Sequence, residues 1–219
     1  MSAINYHTSF SCPGCGFAET PKLALPVAIC CSNCRAVFSA LADQQVEDNG
    51  LKWTVTNEIS IIKLGTKGVF KGRSFEIIGR ARSVTSMATS NEWLMDFGDK
   101  TYAWLTESNS SYFVFETKAL PLGIPDIKSK QAGHVIRLNQ RDYAITEISK
   151  QVAFALEGQI PYEAYNDEDY FKYELKASNN DGYATICIFD KNKVEAFTGD
   201  KIKPEDLKLS NINEYSDWK

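Results

Sequence analysis

Five of the six cysteines fall close together near the N-terminus: Cys12, Cys15, Cys30, Cys31 and Cys34. They read C-P-G-C, then fifteen residues from Gly16 to Cys30, then C-S-N-C. Two C-x2-C pairs at this separation are a zinc-binding signature. Each pair forms a tight knuckle that sets two thiolates on one side, with backbone N–H groups turned toward the sulfurs. Two knuckles complete a tetrahedron around Zn2+, with Zn–S near ~2.3 Å. Pro13 stiffens the first knuckle and Gly16 permits the positive φ that follows it. Arg35 stands at the matching place in the second, which makes that turn less ideal.

Four protein thiolates leave no open coordination position. The expected cofactor is therefore structural Zn2+, held by Cys12, Cys15, Cys31 and Cys34. The competing readings are a disulfide pair, reduced cysteines without metal, or a redox motif, which needs only one C-x2-C. Cys30 rivals Cys31, but only Cys31 has the two-residue spacing to Cys34. His7 lies outside the knuckle spacing. Cys187 sits in the β-branched, apolar run Tyr183–Phe189 and reads as a small buried hydrophobe. A catalytic thiol needs a positioned base, and the chain has only His7 and His134.

A second group of chemistry-bearing residues is Glu92, Trp93, Trp104 and Glu107. If the tryptophans line a groove, these four form a candidate ligand site. The alternative is that Trp53, Trp93 and Trp104 are core anchors. Glu92 and Glu107 could serve as acid and base if adjacent strands bring them together. The stretch Glu163–Glu174 interleaves acids with aromatics, a pattern that attracts cations, though a solvated acidic loop has the same composition.

These residues need elements to hold them. The 219 residues are 43% hydrophobic and 24% charged, ordinary for a globular chain with a real core. Residues 151–219 carry 8 Lys and no Arg against 14 Asp+Glu, a net of -6; the total of -4 leaves +2 for residues 1–150. No stretch is strongly basic, which argues against nucleic acid. No apolar run reaches the ~20 residues of a membrane helix, and no secretory leader is evident. A reducing cytoplasm is the expected compartment.

Ala36–Gln45 reads as a short helix and Val46–Gly50 as a polar linker. Short strands with turn signals follow. Glu58–Lys63, Phe75–Arg82, Glu92–Phe97, Thr101–Thr106 and Tyr112–Phe115 are expected strands, Val69–Phe75 is an expected hairpin turning at Lys71–Ser74, and a bulge is expected at Gly79. Residues 121–129 form a joint. Gly133–Ile148 then repeats the Gly68–Ile78 hairpin, one copy three residues longer. Further strands are expected at Val152–Gly158, Tyr170–Leu175, Tyr183–Phe189 and Val194–Phe197, and a helical turn at Pro204–Leu207. The expected fold is mostly β: an N-terminal zinc ribbon (1–45), then an antiparallel β-barrel-like body in two related halves (46–122 and 123–210), and a flexible tail (211–219).

Gly65-Thr-Lys-Gly68, Gly72, Phe75-Glu-Ile-Ile-Gly-Arg80, Asn91-Glu-Trp93 and Trp104-Leu105 with Glu107 occur in the order found in a bacterial family. The chain resembles the domain-of-unknown-function family numbered 4178. The later stretch Phe171–Gly199, preceded by Glu157-Gly158, is similar to it as well. The loop Asp99-Lys-Thr-Tyr-Ala103 departs from the family's Asp-Gly turn. The resemblance implies a bacterial, cytoplasmic protein with an N-terminal cysteine-knuckle segment, in a polyamine-synthesis or membrane-stress setting. It carries no catalytic residue with it.

Three functions are in contention. The first is a non-catalytic zinc-bearing β module that binds a protein partner or a small cationic ligand. The second is an enzyme using Glu92 and Glu107 in an aromatic cleft. The third is nucleic-acid binding through the ribbon, which residues 1–40 disfavour, holding only Lys22 and Arg35 as bases.

Overall fold

In the computed structural model, residues 9–52, 60–84, 89–108, 110–116, 127–161, 170–178, 182–189 and 193–214 are described. Their apolar runs, broken by turn residues, form strands, and none of the described residues is α-helical. The N-terminal part contains β1 (Phe10–Ser11), β2 (Ala18–Glu19), β3 (Val27–Cys30), β4 (Ala36–Ala40) and β5 (Val46–Lys52). The body follows with β6 (Lys67–Phe70), β7 (Arg73–Val84), β8 (Thr89–Asp96), β9 (Tyr102–Ser108) and β10 (Ser111–Glu116). Then come β11 (Val135–Leu138), β12 (Arg141–Pro161), β13 (Tyr170–Ala177), β14 (Gly182–Phe189) and β15 (Lys193–Ile202). Trp53, Glu163 and their neighbours lie outside the described residues.

Two segments differ from what their sequence predicts. Ala36–Gln45 is not helical: β4 is buried along its whole length between β3 and β5. A run buried on both faces loses the alternation that would mark it as a strand. Val46–Gly50 is not a linker either, since β5 pairs with β4. By contrast, the bulge expected at Gly79 is present, between Ile77 and Gly79.

The large sheet has thirteen strands in the order β5-β4-β3-β12-β13-β14-β15-β10-β9-β8-β7-β6, with β11 on β12. All neighbours are antiparallel. It is not the closed barrel expected from the strand spacing. The reason lies in β12, which is 21 residues long. It pairs with β13 over Tyr143–Gln151, with β7 over Val152–Gly158 and with β3 over Gln159–Pro161. No residue of β12 holds both β13 and β7.

β6–β10 and β11–β15 share one pattern. Both open with a two-residue turn whose residues have positive φ: Lys71 and Gly72 at 48° and 79°, Asn139 and Gln140 at 47° and 65°. Such turns match the twist of paired strands. Gly65 N–H donates to Ile77 and the Ile77 N–H to Thr66; Gly133 N–H donates to Ile145 and the Ile145 N–H to His134. Each long strand then bulges one residue later, after Ile77 and after Ile145. Gly65 therefore matches Gly133, and the two hairpins are equal in length. The three-residue difference read from the sequence came from aligning Gly68 with Gly133. Where the halves meet, equivalent residues pair with each other: Val84 with Val152, and Glu116 with Thr198. A pseudo-two-fold axis relates the halves.

Candidate metal centre and interior cavity

The two knuckles are local backbone structures. In the first, Gly16 N–H donates to the Cys12 carbonyl at 2.8 Å; in the second, Arg35 N–H donates to the Cys31 carbonyl at 3.0 Å. Gly16 and Arg35 have φ of 74° and 65°, so Arg35 adopts the left-handed conformation that glycine holds in the first knuckle. The sulfurs of Cys12, Cys15, Cys31 and Cys34 lie within 4.8 Å of one another. Cys12 to Cys34 is 3.6 Å and Cys15 to Cys31 is 3.7 Å. A tetrahedral ion held at ~2.3 Å sets its sulfurs ~3.8 Å apart, so the four could hold a metal ion. The Asn33 amide donates to Cys15 Sγ at 3.5 Å and lowers that thiol to about 6.

Cys30 is not one of the four. Successive residues of a strand point to opposite faces. Cys31 lies in a core with Phe10, Ile29 and Phe38 of the N-terminal segment β1–β5 (the clip), whereas Cys30 packs with Leu156 and Ile160 of β12. Its Sγ donates to the Arg35 carbonyl at 3.8 Å, and burial pushes the thiol up to about 11. The clip is fastened to the body at this point. Arg35 reaches Glu157 at 3.7 Å, and Glu157 also takes Arg80 at 2.9 Å. Arg80 in turn lies over the Trp93 ring, 4.8 Å from its centroid.

Glu92, Trp93, Trp104 and Glu107 do not share one groove. Glu92 pairs with Thr106 and Trp93 with Leu105 across β8 and β9, so Glu92 and Glu107 project from opposite faces. Trp93 is 1% exposed, in a core with Ile62, Phe75 and Met95. Its indole N–H donates to Glu107 at 3.1 Å, as Asn91 does at 3.1 Å, Ser60 at 2.7 Å and Tyr112 at 2.9 Å. Four donors occupy the Glu107 carboxylate, which gives it a structural task. Glu92 and Trp104 face the space between the halves. There Glu92 accepts from Thr106 and from Lys172 at 2.9 Å. Burial acts to lower the Lys172 pKa, and the surrounding groups together, Glu92 first and then Tyr170 and Glu174, more than offset it, so the ammonium stays charged.

Residues 63–204 match the family model described as Domain of unknown function (DUF4178). The chain belongs to this family. The match spans both halves of the body, and the four cysteines precede it. No curated protein and no solved structure matches the chain.

In this DUF4178 member, the interior space has residues that sequence reasoning missed. Lys172 is the chief one, and no local pattern marks it: its partner Glu92 is 80 residues away. Cys187 was expected to be buried, and it is; burial pushes its thiol up to about 12. Among the described residues, no helix is long and apolar enough to cross a membrane.

Proposed function

We propose that this chain is a non-catalytic binding or scaffold module whose N-terminal clip is folded by a structural zinc ion. The observation that carries the reading is the tetrahedral spacing of four protein sulfurs, which leaves zinc no open position for substrate or water. The opposed faces of Glu92 and Glu107 speak against a shared acid–base site. The two body halves act as related units built on one hairpin plan, and the site serves a protein partner or a small ligand. Thiols kept free to take zinc suit a reducing compartment, so the reading includes the bacterial cytoplasm as the protein's location.

Metal analysis tests this directly. The purified chain should carry one zinc per molecule. Cys31→Ser should lose it, and amide exchange should then speed up in β3 and β4 while β13 and β14 keep their protection. Cys30→Ser should keep the metal. Equal loss in both variants, or a metal-free wild type with disulfides, would overturn the assignment.

A further inference from the structure

Equivalent positions of the two halves meet in the interior, and they have diverged in type. The registers of β7–β8–β9–β10 and β12–β13–β14–β15 match Glu92 with Lys172, Thr106 with Cys187, Trp104 with Thr185 and Phe115 with Phe197. All eight line a cavity of about 90 Å³ between the halves. A second space of about 210 Å³ adjoins it and shares Thr106, Phe115, Lys172 and Thr185. A symmetric scaffold with an asymmetric lining has a polar direction, and such a space can orient a ligand that is itself asymmetric.

Three features define that ligand. First, the Lys172 side chain is 7% exposed and fronts both spaces. Among the described residues, its ammonium makes one hydrogen bond, to Glu92, while Glu174 stands 4.0 Å away. An ammonium has three N–H donors, so two of them can serve an acceptor. Second, Lys172 is the one basic residue in a lining that also holds Glu92, Glu174 and Glu195. A lone anion is repelled there, and a positive group is welcome. Third, Trp104, Phe115 and Phe197 supply apolar wall.

The space has one covered end. Leu94 and Trp104 pack against the metal clip. Their equivalents, Glu174 and Thr185, line the larger space. The clip thus occupies in one half the place that stays open in the other.

We infer that this interior space binds a small zwitterion with an apolar body, of which a free amino acid is the simplest case. The carboxylate meets the unused Lys172 donors, the ammonium meets Glu174 and Glu195, and the side chain lies against the aromatic wall. The inference rests on the binding-module reading but not on the metal, so failure here leaves the zinc result standing.

The test uses the full, metal-loaded chain. Each of the twenty amino acids is added singly while the thermal midpoint and tryptophan emission are followed. A responding amino acid is then titrated by calorimetry beside its analogues without the amine and without the carboxylate. For phenylalanine these are 3-phenylpropionate and phenethylamine. The zwitterion should bind at least ~10-fold more tightly than either analogue, a difference of about 1.4 kcal/mol. Glu195→Gln should bring its affinity close to that of the amine-free analogue. Thr185→Trp, which copies the residue of the other half into the space, should abolish binding while the far-UV circular dichroism is unchanged. No response from any amino acid at ~10 mM overturns the inference, since binding weaker than ~1 mM is worth under ~4 kcal/mol. Equal binding of an analogue, or full binding by a folded Thr185→Trp, does so as well.

Discussion

Leu94 and Glu174 hold the same place in two copies of one scaffold, and only one of them is covered. Leu94 is fully buried against the cysteine clip, while Glu174 is exposed beside the larger cavity. The neighbours follow suit. Ile78 is buried where Thr146 is exposed, and Trp104 stands where Thr185 leaves room. Backbone registers are alike, so the strand plan did not set these differences. Cover did: a face packed under another element must be apolar, and one that meets water or a ligand need not be. The first half has become a seat for the clip, and the second has kept its end of the interior polar and open.

Gly79 offers the strongest way to break that comparison. It pairs with Gly158 where β7 and β12 come together. A Cβ on Gly79 would lie 1.9 Å from the Gln159 carbonyl oxygen, a backbone atom that cannot step aside. The equivalent residue of the second half is Glu147, which is exposed. Gly79→Ala should destabilise the chain by about 4 kcal/mol or block folding, because the two long strands must part. Glu147→Ala should stay within about 0.5 kcal/mol. Denaturant midpoints of the two variants decide it. Similar losses at both positions would mean that the halves are not differently loaded by β12.

The cysteine knuckles were readable because all their geometry is local. Two C-x2-C spacings fix which thiols converge, and only the left-handed Arg35 was beyond a propensity rule. The hairpins were readable for the same reason, since turn residues at 71–72 and 139–140 act over a few positions. What failed was non-local. β4 looked helical because burial on both faces erased its alternation. The closed barrel failed because one strand changes partner along its length, which no residue in Arg141–Pro161 announces. Nothing local singles out Lys172 within the strand expected at Tyr170–Leu175, and only the pseudo-axis sets it against Glu92.

That ion pair sharpens the comparison next. Glu92 and Lys172 are equivalents of opposite charge, with side chains 16% and 7% exposed. Removing one partner strands a buried charge, so Lys172→Met should cost about 3 kcal/mol, and Glu92→Gln a similar amount. The double replacement Glu92→Leu with Lys172→Met should recover most of the loss, as apolar pairs of like volume do. A double-mutant cycle built on the Glu92→Leu and Lys172→Met single variants reads this as a coupling energy of about 3 kcal/mol or more. Additive losses would show that the two charges do not support each other across the axis.

The smallest effect belongs to Glu107, whose equivalent in the second half is Ile188. One position serves as a hydrogen-bond hub and the other as plain core, 4% exposed. Glu107 accepts from Ser60, Asn91, Trp93 and Tyr112, and burial together with the Glu107 charge raises the Tyr112 hydroxyl, which therefore remains a donor. Glu107→Gln keeps the shape but replaces a charged acceptor of four bonds with a neutral group that must itself donate. One or two of those donors lose their partner, at about 1–2 kcal/mol in all. Ile188→Val, the matched change in the other half, removes one methylene from a core site and should cost about 1 kcal/mol. The two losses are close in size, but they differ in what they disturb. Glu107→Gln should shift Trp93 emission because its indole N–H partner changes, and Ile188→Val should leave that emission as it is. An unshifted Trp93 in Glu107→Gln would mean that the carboxylate is not the hub that holds this face of β8 and β9.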